Sequence, residues 1–515
     1  MDFRRIIAAV AALCITAPTV SGIVTTNATS PINSDNIVTG DVNVDYVFNL
    51  SDIVLFQRWL RGDKDLFPAY GEPGPGADAN KDGKNDVFDL VAMRKLLVQC
   101  IKNAPEPSYA PQAQNLCAGI ERSPGTSGII MNEGYQNYKE FIDSQLDFTV
   151  GLLQKTYSEN KGENNLISPY SIAQALGMTA NGAAGSTLDE MENVIGGGMP
   201  IDSLNRYFRG QREMTVNESD EPKWSINTAN SIWIRNNRNR IQVLPGFIQN
   251  CVDYYDSECY ITPFDDTTLA DVNNWVNCKT NEMIPTILNM IDPNDVMYLV
   301  NAVTFQAEWA EPYEKYMITD GKFTAADGTV QEAEMLSSSE DYISDDNTKG
   351  IIKDYTGLRY AFAALLPDDN TSMDSYIESL TAEKLRDLLS NRFGKNYSQA
   401  TAVLPKFSYE YENELSEELA NMGMPTAFSD EADFSNMSAI AYLNPLQIGY
   451  VIHKTFIDLD ENGTKAAAAT LVAIQDKAMP IKPKKTIVFD RPFVYCIYDT
   501  ETYVPLFIGV LNSLS

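Results

Sequence analysis

A single histidine, His453, occurs in the 515 residues of this chain. That excludes a zinc site of the HExxH kind and any centre built from several imidazoles. A Ser-His-Asp triad would have to use His453, yet no Gly-x-Ser-x-Gly turn presents a nucleophile. In its alternating run, a hydrogen-bonded structural role suits that histidine better. Basic residues are scarce too: 39 Lys and Arg against 70 Asp and Glu leave a net charge of −31. Such a surface excludes nucleic acid as a partner. Carboxylate pairs of the glycosidase kind are inevitable among so many acids and carry no information. Cysteine is sparse at 7 residues, without a dense disulfide framework or zinc-site spacing. Cys100 and Cys117 flank a Pro-rich stretch, where a pair and two free thiols are both open; isolated buried thiols suit Cys251, Cys259, Cys278 and Cys496. No segment reaches membrane-spanning length.

What is present divides the chain. Arg4-Arg5, the apolar run Ile6–Ile15 and the small residues to Gly22 have the layout of a secretory signal over residues 1–22. A secreted, extracellular, monomeric protein is expected. Residues 38–100 hold two stretches with oxygen donors at the spacing of a calcium loop. The first offers Asp41, Asn43, Asp45, the backbone of Val47, Asn49 and Asp52; the second offers Asp78, Asn80, Asp82, the backbone of Lys84, Asp86 and Asp89. Each runs into an amphipathic helix, and a Pro/Gly connector at 68–75 separates them. Residues 101–134 carry Pro105, Pro107, Pro111 and Pro124 and read as a linker ill suited to a core.

The duplicated segment resembles a dockerin, the small all-α calcium-loop module that docks cellulosomal proteins onto cohesin domains. The resemblance implies two Ca2+ ions and a cohesin partner on a scaffoldin, contacted through Leu50-Ser51 and Val87-Phe88. These pairs differ, so two equivalent binding faces are not expected. The first loop departs from the pattern at Val44 and Tyr46, where glycine is usual, and is the less certain calcium site.

From Tyr135 to Ser515 the composition is globular throughout. Helical periodicity covers 141–153. Ser168-Pro169 caps a second helix, and Thr187–Glu190 reads as a capping box for a third that ends at Gly196–Gly198. A further helix is expected over 269–287. Strands are expected at 224–234, 295–305, 350–355, 360–366, 401–407, 486–489, 493–498 and 506–511. Early helices followed by many strands, without regular βαβ alternation, predict an α+β fold with large antiparallel sheets.

Ordered motifs along this region resemble the serpins, proteins whose reactive loop can insert into a sheet. They include Asn165–Ser171, Asn301–Pro312, Leu404–Phe407, Met422–Met424, Ala432–Ser435, Arg491–Phe493 and Pro505–Gly509. The resemblance implies that Ser168, Ser171, Asn301 and His453 cluster where the main sheet parts. It also implies that Trp309, Lys406 and Glu461 line the opening, with a Lys406–Glu461 ion pair. Glu461, Gly463, Thr464 and Ala466, Ala467, Ala468 and Ala469 match the hinge of inhibitory members.

Four consecutive alanines are strong helix formers, so a surface helix from near Thr464 is one reading of the run. A strand waiting for a sheet is the other. Strand periodicity would turn Thr464, Ala466, Ala468, Thr470, Val472 and Ile474 to one face, a small or apolar set throughout. The family's spacing from the hinge glutamate points to Lys477-Ala478 as the scissile bond. Lysine there suits a trypsin-like protease, whereas Ile474, Ala478 or Met479 would suit apolar pockets such as those of subtilisin-like enzymes. The expected function is therefore not catalysis but suicide-substrate inhibition of a serine protease, tethered to a cellulosome. The alternative is a non-inhibitory serpin-fold binding component, against which the small hinge residues argue.

Overall fold

Long apolar stretches such as Tyr360–Pro367, Phe493–Asp499 and Pro505–Leu511 are buried residue after residue. Strands of that kind need cover on both faces, and the chain supplies it with helices and a second sheet. The computed structural model describes residues 39, 42, 50–62, 73, 77–103, 111–123, 135–215, 224–236, 241–292, 295–393, 398–441, 446–464 and 485–514. They fall into two units, Met1–Ala110 and Pro111–Ser515. No described helix is long and apolar enough to cross a membrane.

In the first unit, helices α1 (Leu50–Leu60) and α2 (Val87–Asn103) enclose a small core of Val42, Ile53, Phe56, Ala77, Leu90 and Met93. Asp52 and Asp89, at matching places in the two copies, are fully buried. Gln57 and Arg94, also matching places, meet through an Arg94 Nη2 to Gln57 Oε1 hydrogen bond of 3.3 Å.

The second unit begins earlier than composition suggests. Residues 111–123, expected as linker, form an extended strap whose short strand β1 (Gln114–Asn115) pairs antiparallel with β4 (Glu258–Thr262). The N–H groups of Gln112 and Ala113 donate to Asp271, and that of Ser123 to Asp253 at 2.7 Å. These backbone bonds need no apolar periodicity, which is why the composition did not show them.

The remaining elements follow in chain order. They are helix α3 (Tyr135–Glu159), strand β2 (Asn165–Ile167), helices α4 (Pro169–Ala180), α5 (Gly185–Gly196) and α6 (Ile201–Thr215), and strand β3 (Trp224–Arg235). Helix α7 (Pro245–Asn250) continues as a π turn to Tyr255, then β4, helix α8 (Asp266–Lys279) and β5 (Met297–Glu308). Strands β6 (Ile318–Thr324), β7 (Val330–Ser344), β8 (Thr348–Asp354) and β9 (Tyr360–Pro367) precede helices α9 (Met373–Ser379) and α10 (Ala382–Ser390). The chain then runs through β10 (Gln399–Pro405), β11 (Phe407–Glu414), helix α11 (Ser416–Met422), β12 (Tyr450–Leu459) and β13 (Gly463–Thr464). It closes with β14 (Lys485–Val488), β15 (Phe493–Asp499) and β16 (Pro505–Leu511).

Among the described residues a seven-stranded sheet has the order β1-β4-β3-β5-β13-β12-β11, and a nine-stranded sheet the order β14-β10-β7-β8-β9-β15-β16-β2 with β6 beside β7. The sheets are mixed where antiparallel ones were expected: β3–β4, β5–β12 and β10–β14 are parallel pairs. Each parallel pair is joined by a long crossover, as that geometry requires.

Two helix expectations change. Thr187 is no N-cap: α5 starts at Gly185, Thr187 is buried in it and accepts the Asp433 N–H, and Glu190 accepts Thr426. Helix α8 stops at Lys279, because Asn281 and Glu282 take positive φ and Pro285 has no N–H to continue the ladder. Ser168, by contrast, caps α4 with Pro169 at its first turn.

Every residue of α4 is buried. It packs on β3, β5 and β16, between the two sheets. Close packing is equally tight at Gly509 of β16, where an added Cβ would lie 2.3 Å from the Asn165 carbonyl and 3.0 Å from the Tyr495 ring. Gly509→Ala is expected to lower stability by about 1–3 kcal/mol, read from the urea midpoint. An unchanged midpoint would show that the β2–β16 contact spreads freely.

Candidate functional site

Strands β5 and β12 lie side by side from Tyr298/Tyr450 to Val303/Thr455. Toward their C-terminal ends they part. Ala307 and Glu308 pair instead with Thr464 and Gly463, and Leu459 also pairs with Thr464. The two-residue strand β13 is thus a wedge in the mouth of the sheet, and Thr464 is strand, not the start of a helix.

At the closed part, His453 and Asn301 are register partners and both are fully buried. The Ser168 N–H donates to His453 Nε2 at 3.1 Å, so that nitrogen carries no proton. Nδ1–H then donates to Asn301 Oδ1 at 2.7 Å. Asn301 Nδ2 donates to Ser171 Oγ at 2.5 Å and Asn230 Oδ1 at 2.6 Å, and Ser168 Oγ donates to the Leu506 carbonyl at 2.7 Å. Burial lowers the His453 pKa to about 3, so the ring is neutral. Both ring nitrogens are engaged, which leaves no base for a nucleophile. All four residues expected behind the sheet meet here. Asn230 was missed, although a polar residue amid the apolar alternation of β3 was a usable signal.

At the open end, Glu461 Oε2 sits 2.7 Å from Lys406 Nζ, which also meets Glu334 Oε2 at 3.1 Å. Partial burial pulls the Lys406 pKa down, but bonds to Glu461 and Glu334 outweigh it and leave it raised; Lys406 in turn holds Glu461 below the usual carboxylate range. The Trp309 N–H donates to the Asn462 carbonyl at 2.8 Å and its indole Nε1–H to the Asp460 carbonyl at 3.0 Å. Trp309 stacks on Tyr355 at 4.4 Å, and the Tyr355 hydroxyl pairs with that of Thr464. Lys353 lies 4.4 Å from the Tyr313 ring centre and pairs with Glu340 at 2.7 Å. Tyr355, Tyr313 and Glu334 were not singled out in the sequence, because only the sheet brings them to the hinge.

Gly463 is required by close approach: a Cβ would lie 2.1 Å from the Ala307 carbonyl. Asp460 accepts the N–H groups of Asn462 (2.7 Å) and Gly463 (3.1 Å) and so makes the turn into β13. Ala466, Ala467, Ala468, Ala469, Lys477 and Ala478 lie outside the described residues.

In the first unit, Asp41, Asn43, Asp45, Val47 and Asn49 lie outside the described residues, as do the side chains of Leu50 and Ser51. Asp52 accepts the Val42 N–H at 3.0 Å. The second loop folds tightly, with Lys81 and Gly83 at positive φ. Asp78 accepts from the N–H of Asp82 (3.0 Å) and of Gly83 (2.9 Å), Asp82 from that of Lys84 (3.0 Å), and Asp89 from those of Asn80 (3.1 Å) and Asp86 (2.9 Å). Hard oxygen donors of this order suit Ca2+ by their chemistry. Here they are turned onto the loop's own N–H groups, and among the described residues no three His, Cys, Asp or Glu side chains gather to hold an ion. Val87 and Phe88 are 56% and 66% exposed, with Val54 and Val91 exposed beside the same helix starts.

A mixed sheet parted at one end by a wedge strand, with a buried helix and a second large sheet behind it, is the serpin fold. The family profile described as Serpin (serine protease inhibitor) matches residues 143–514. An uncharacterized serpin-like protein of Thermococcus kodakarensis is 29% identical over 415 residues, 79% of this chain and 92% of that protein. The leukocyte elastase inhibitor of Bos taurus is 30% identical over 380 residues, 71% of this chain and 97% of its own length. Among solved structures, the thermophilic serpin tengpin in its native state is 41% identical with a TM-score of 0.70, covering 78% of this chain and 100% of that one. This chain belongs to the serpin family, a family of serine protease inhibitors by its profile and by relatives such as the elastase inhibitor, and it is not a catalyst.

The neutral histidine has a pH consequence. The unfolded chain takes up a proton near pH 6.5, while the folded one does so only near 3. Stability from this group is therefore full above about pH 6.5 and is lost as pH falls toward 3. The expected slope is about 1.4 kcal/mol per pH unit within that window. His453→Gln should flatten it, as read from urea unfolding at stepped pH; an unaltered slope in the variant would assign the titration elsewhere.

Proposed function

We propose that the protein is a secreted inhibitor of serine proteases that works as a suicide substrate and is anchored to a cellulosome. The observation that carries the inhibitory part is β13, already seated between β5 and β12 with Thr464 only 2% exposed. A protease that attacks the segment beyond Thr464, with Lys477-Ala478 as the bond, forms an acyl-enzyme. Released at the cut, the hinge extends from β13 down the junction and satisfies strand N–H and carbonyl groups on both sides. Small side chains at Ala466 and Ala468 favour that entry, and the acylated protease is carried along before deacylation. The native state is then a kinetic trap whose strain cleavage releases.

The anchoring part rests on the duplicated helix starts. Asp78, Asn80, Asp82, the Lys84 carbonyl, Asp86 and Asp89 would hold one Ca2+, with Asp41, Asn43, Asp45, the Val47 carbonyl, Asn49 and Asp52 the weaker copy. Bound Ca2+ would draw these oxygens together and fix the helix starts. Val87 and Phe88, exposed at the start of α2, offer an apolar contact to a cohesin domain, with Leu50 and Ser51 as the inequivalent counterpart. Such an anchor would hold the protein outside the cell, on its surface or on a released complex.

Incubation with trypsin-like and subtilisin-like proteases is expected to give a covalent complex stable in SDS. Clean loop cleavage with free, active protease in every case would refute inhibition. Thr464→Arg should cut complex yield at least about ten-fold and turn the protein into a substrate, since burying an unpaired charge costs several kcal/mol. Undiminished yield would sink the insertion account. For the first unit, the full chain should bind a cohesin panel in Ca2+ and lose it in EGTA, with Phe88→Ala weaker; equal binding in chelator would overturn the calcium role.

A further inference from the structure

Three of the five cysteines whose side chains are described meet where the strap crosses the sheet edge. The Leu116 N–H donates to the Cys259 carbonyl at 2.8 Å, which sets Cys117 one residue beyond Cys259 across the strand pair. Cys117 itself lies in the turn that follows β1, so strand alternation does not turn its side chain to the other face, and it packs against the cluster that holds Cys259; a disulfide bridges Cα atoms about 4.4–6.8 Å apart. The Cys259 N–H faces the Cys117 thiol. Cys251 approaches from the π turn, where its carbonyl accepts both the N–H (3.3 Å) and the hydroxyl (3.1 Å) of Ser257, the residue before β4. Cys251 and Cys259 are buried in one apolar cluster, and Cys117 packs against it. All three are thiols in this structure. Cys278 is exposed on α8 and Cys496 is buried in β15, on other elements.

The strap's other polar anchors include a weak one. The Arg122–Asp256 pair joins side chains 39% and 65% exposed, a kind of contact that contributes little. A covalent link at Cys117 would change how firmly the strap is held. Burial pushes the Cys117 thiol up to about 11 and the other two well above their usual value, so the docked site reacts slowly. Exchange is fast only while the strap is lifted or before it first docks.

We propose that Cys117 and Cys259 form a disulfide that fastens the N-terminal strap to β4 in oxidising surroundings. The co-reactant is a low-molecular-weight disulfide. The Cys117 thiolate of a lifted strap attacks one of its sulfurs, forming a mixed disulfide and releasing one small thiolate. As the strap docks, Cys259 gives its proton to that thiolate and attacks Cys117 Sγ. The protein S–S bond closes and the second small thiolate leaves, taking its proton from solvent. Two protein thiols are oxidised and one disulfide is reduced to two thiols. The inference requires export to an oxidising compartment but not inhibition, and it is tested without a protease.

The full chain is equilibrated in graded mixtures of reduced and oxidised glutathione, quenched with an alkylating agent, digested and mapped by mass spectrometry. The expected result is a Cys117–Cys259 linked peptide and the loss of two alkylatable thiols, both reversed by reductant. Alkylation of Cys117 at every ratio, a Cys117–Cys100 peptide, or a Cys251–Cys259 bridge with Cys117 free would each overturn the proposal. Cys117→Ala changes only the half-buried end of the pair. It should keep the melting temperature of the reduced parent and lose the oxidation-dependent rise in it; a rise retained in the variant also counts against the staple.

Discussion

The junction between β5 and β12 is the constraint on which the rest of the molecule depends. Two parallel neighbours share six register pairs, from Tyr298/Tyr450 to Val303/Thr455, and no strand can join the sheet there unless those pairs separate. Apolar packing alone would make a poor lock, because it is non-directional and yields gradually. The His453–Asn301–Ser171–Asn230 network is directional, buried and nearly complete, so partial opening strands several polar groups at once. Ser168 ties it to the start of α4 and, through the Leu506 carbonyl, to the second sheet. The junction is therefore backed by the whole body and not by two strands.

Against that lock the mouth of the sheet is set part-way open. Gly463 and Thr464 already pair within the sheet, so on the proposed insertion mechanism the loop end is ordered before any cleavage. What holds the wedge in place is polar and local: Lys406 with Glu461, the Trp309 N–H groups with the turn carbonyls, and Tyr355 with Thr464. These contacts position the entry without filling the path below it. If the proposed insertion continues the strand beyond Thr464, period two would give the next inward positions to Ala466 and Ala468, side chains with little volume to force between β5 and β12.

The β-rich fold, and the Lys406–Glu461 pair at the mouth of the sheet, were legible in the sequence for definite reasons. Buried strands such as β9, β15 and β16 are continuous apolar runs, and Ser168-Pro169 is a helix start that local chemistry dictates. His453 was legible by scarcity, since one histidine with no catalytic company has to be structural. The illegible parts share a different cause. The strap 111–123 is held by backbone donors reaching Asp253, Asp271 and the β4 edge, bonds that leave no side-chain pattern. The parallel pairs were missed because period two is the same in both directions. Thr187 mimics a cap in sequence, but Asp433 and Thr426, more than two hundred residues away, decide what it and Glu190 bond.

The lock and the wedge must differ in chemistry for such a molecule to persist. If the network at His453 were replaced by apolar contacts, inserting a strand of alanine and threonine would exchange one set of apolar contacts for another, with added backbone hydrogen bonds as pure gain. The barrier would then be low, and the chain would slide into the inserted form unprompted. A neutral imidazole pinned at both nitrogens prevents this, because any separation of β5 from β12 leaves a buried ring with an unmet donor. The same pinning explains why charge is excluded there. A second proton would have to sit on Nε2, facing the Ser168 N–H, and would turn an acceptor into a repelled donor. On the proposed insertion mechanism, metastability would rest on a polar interaction whose loss is abrupt, set within the junction that the inserting strand must open.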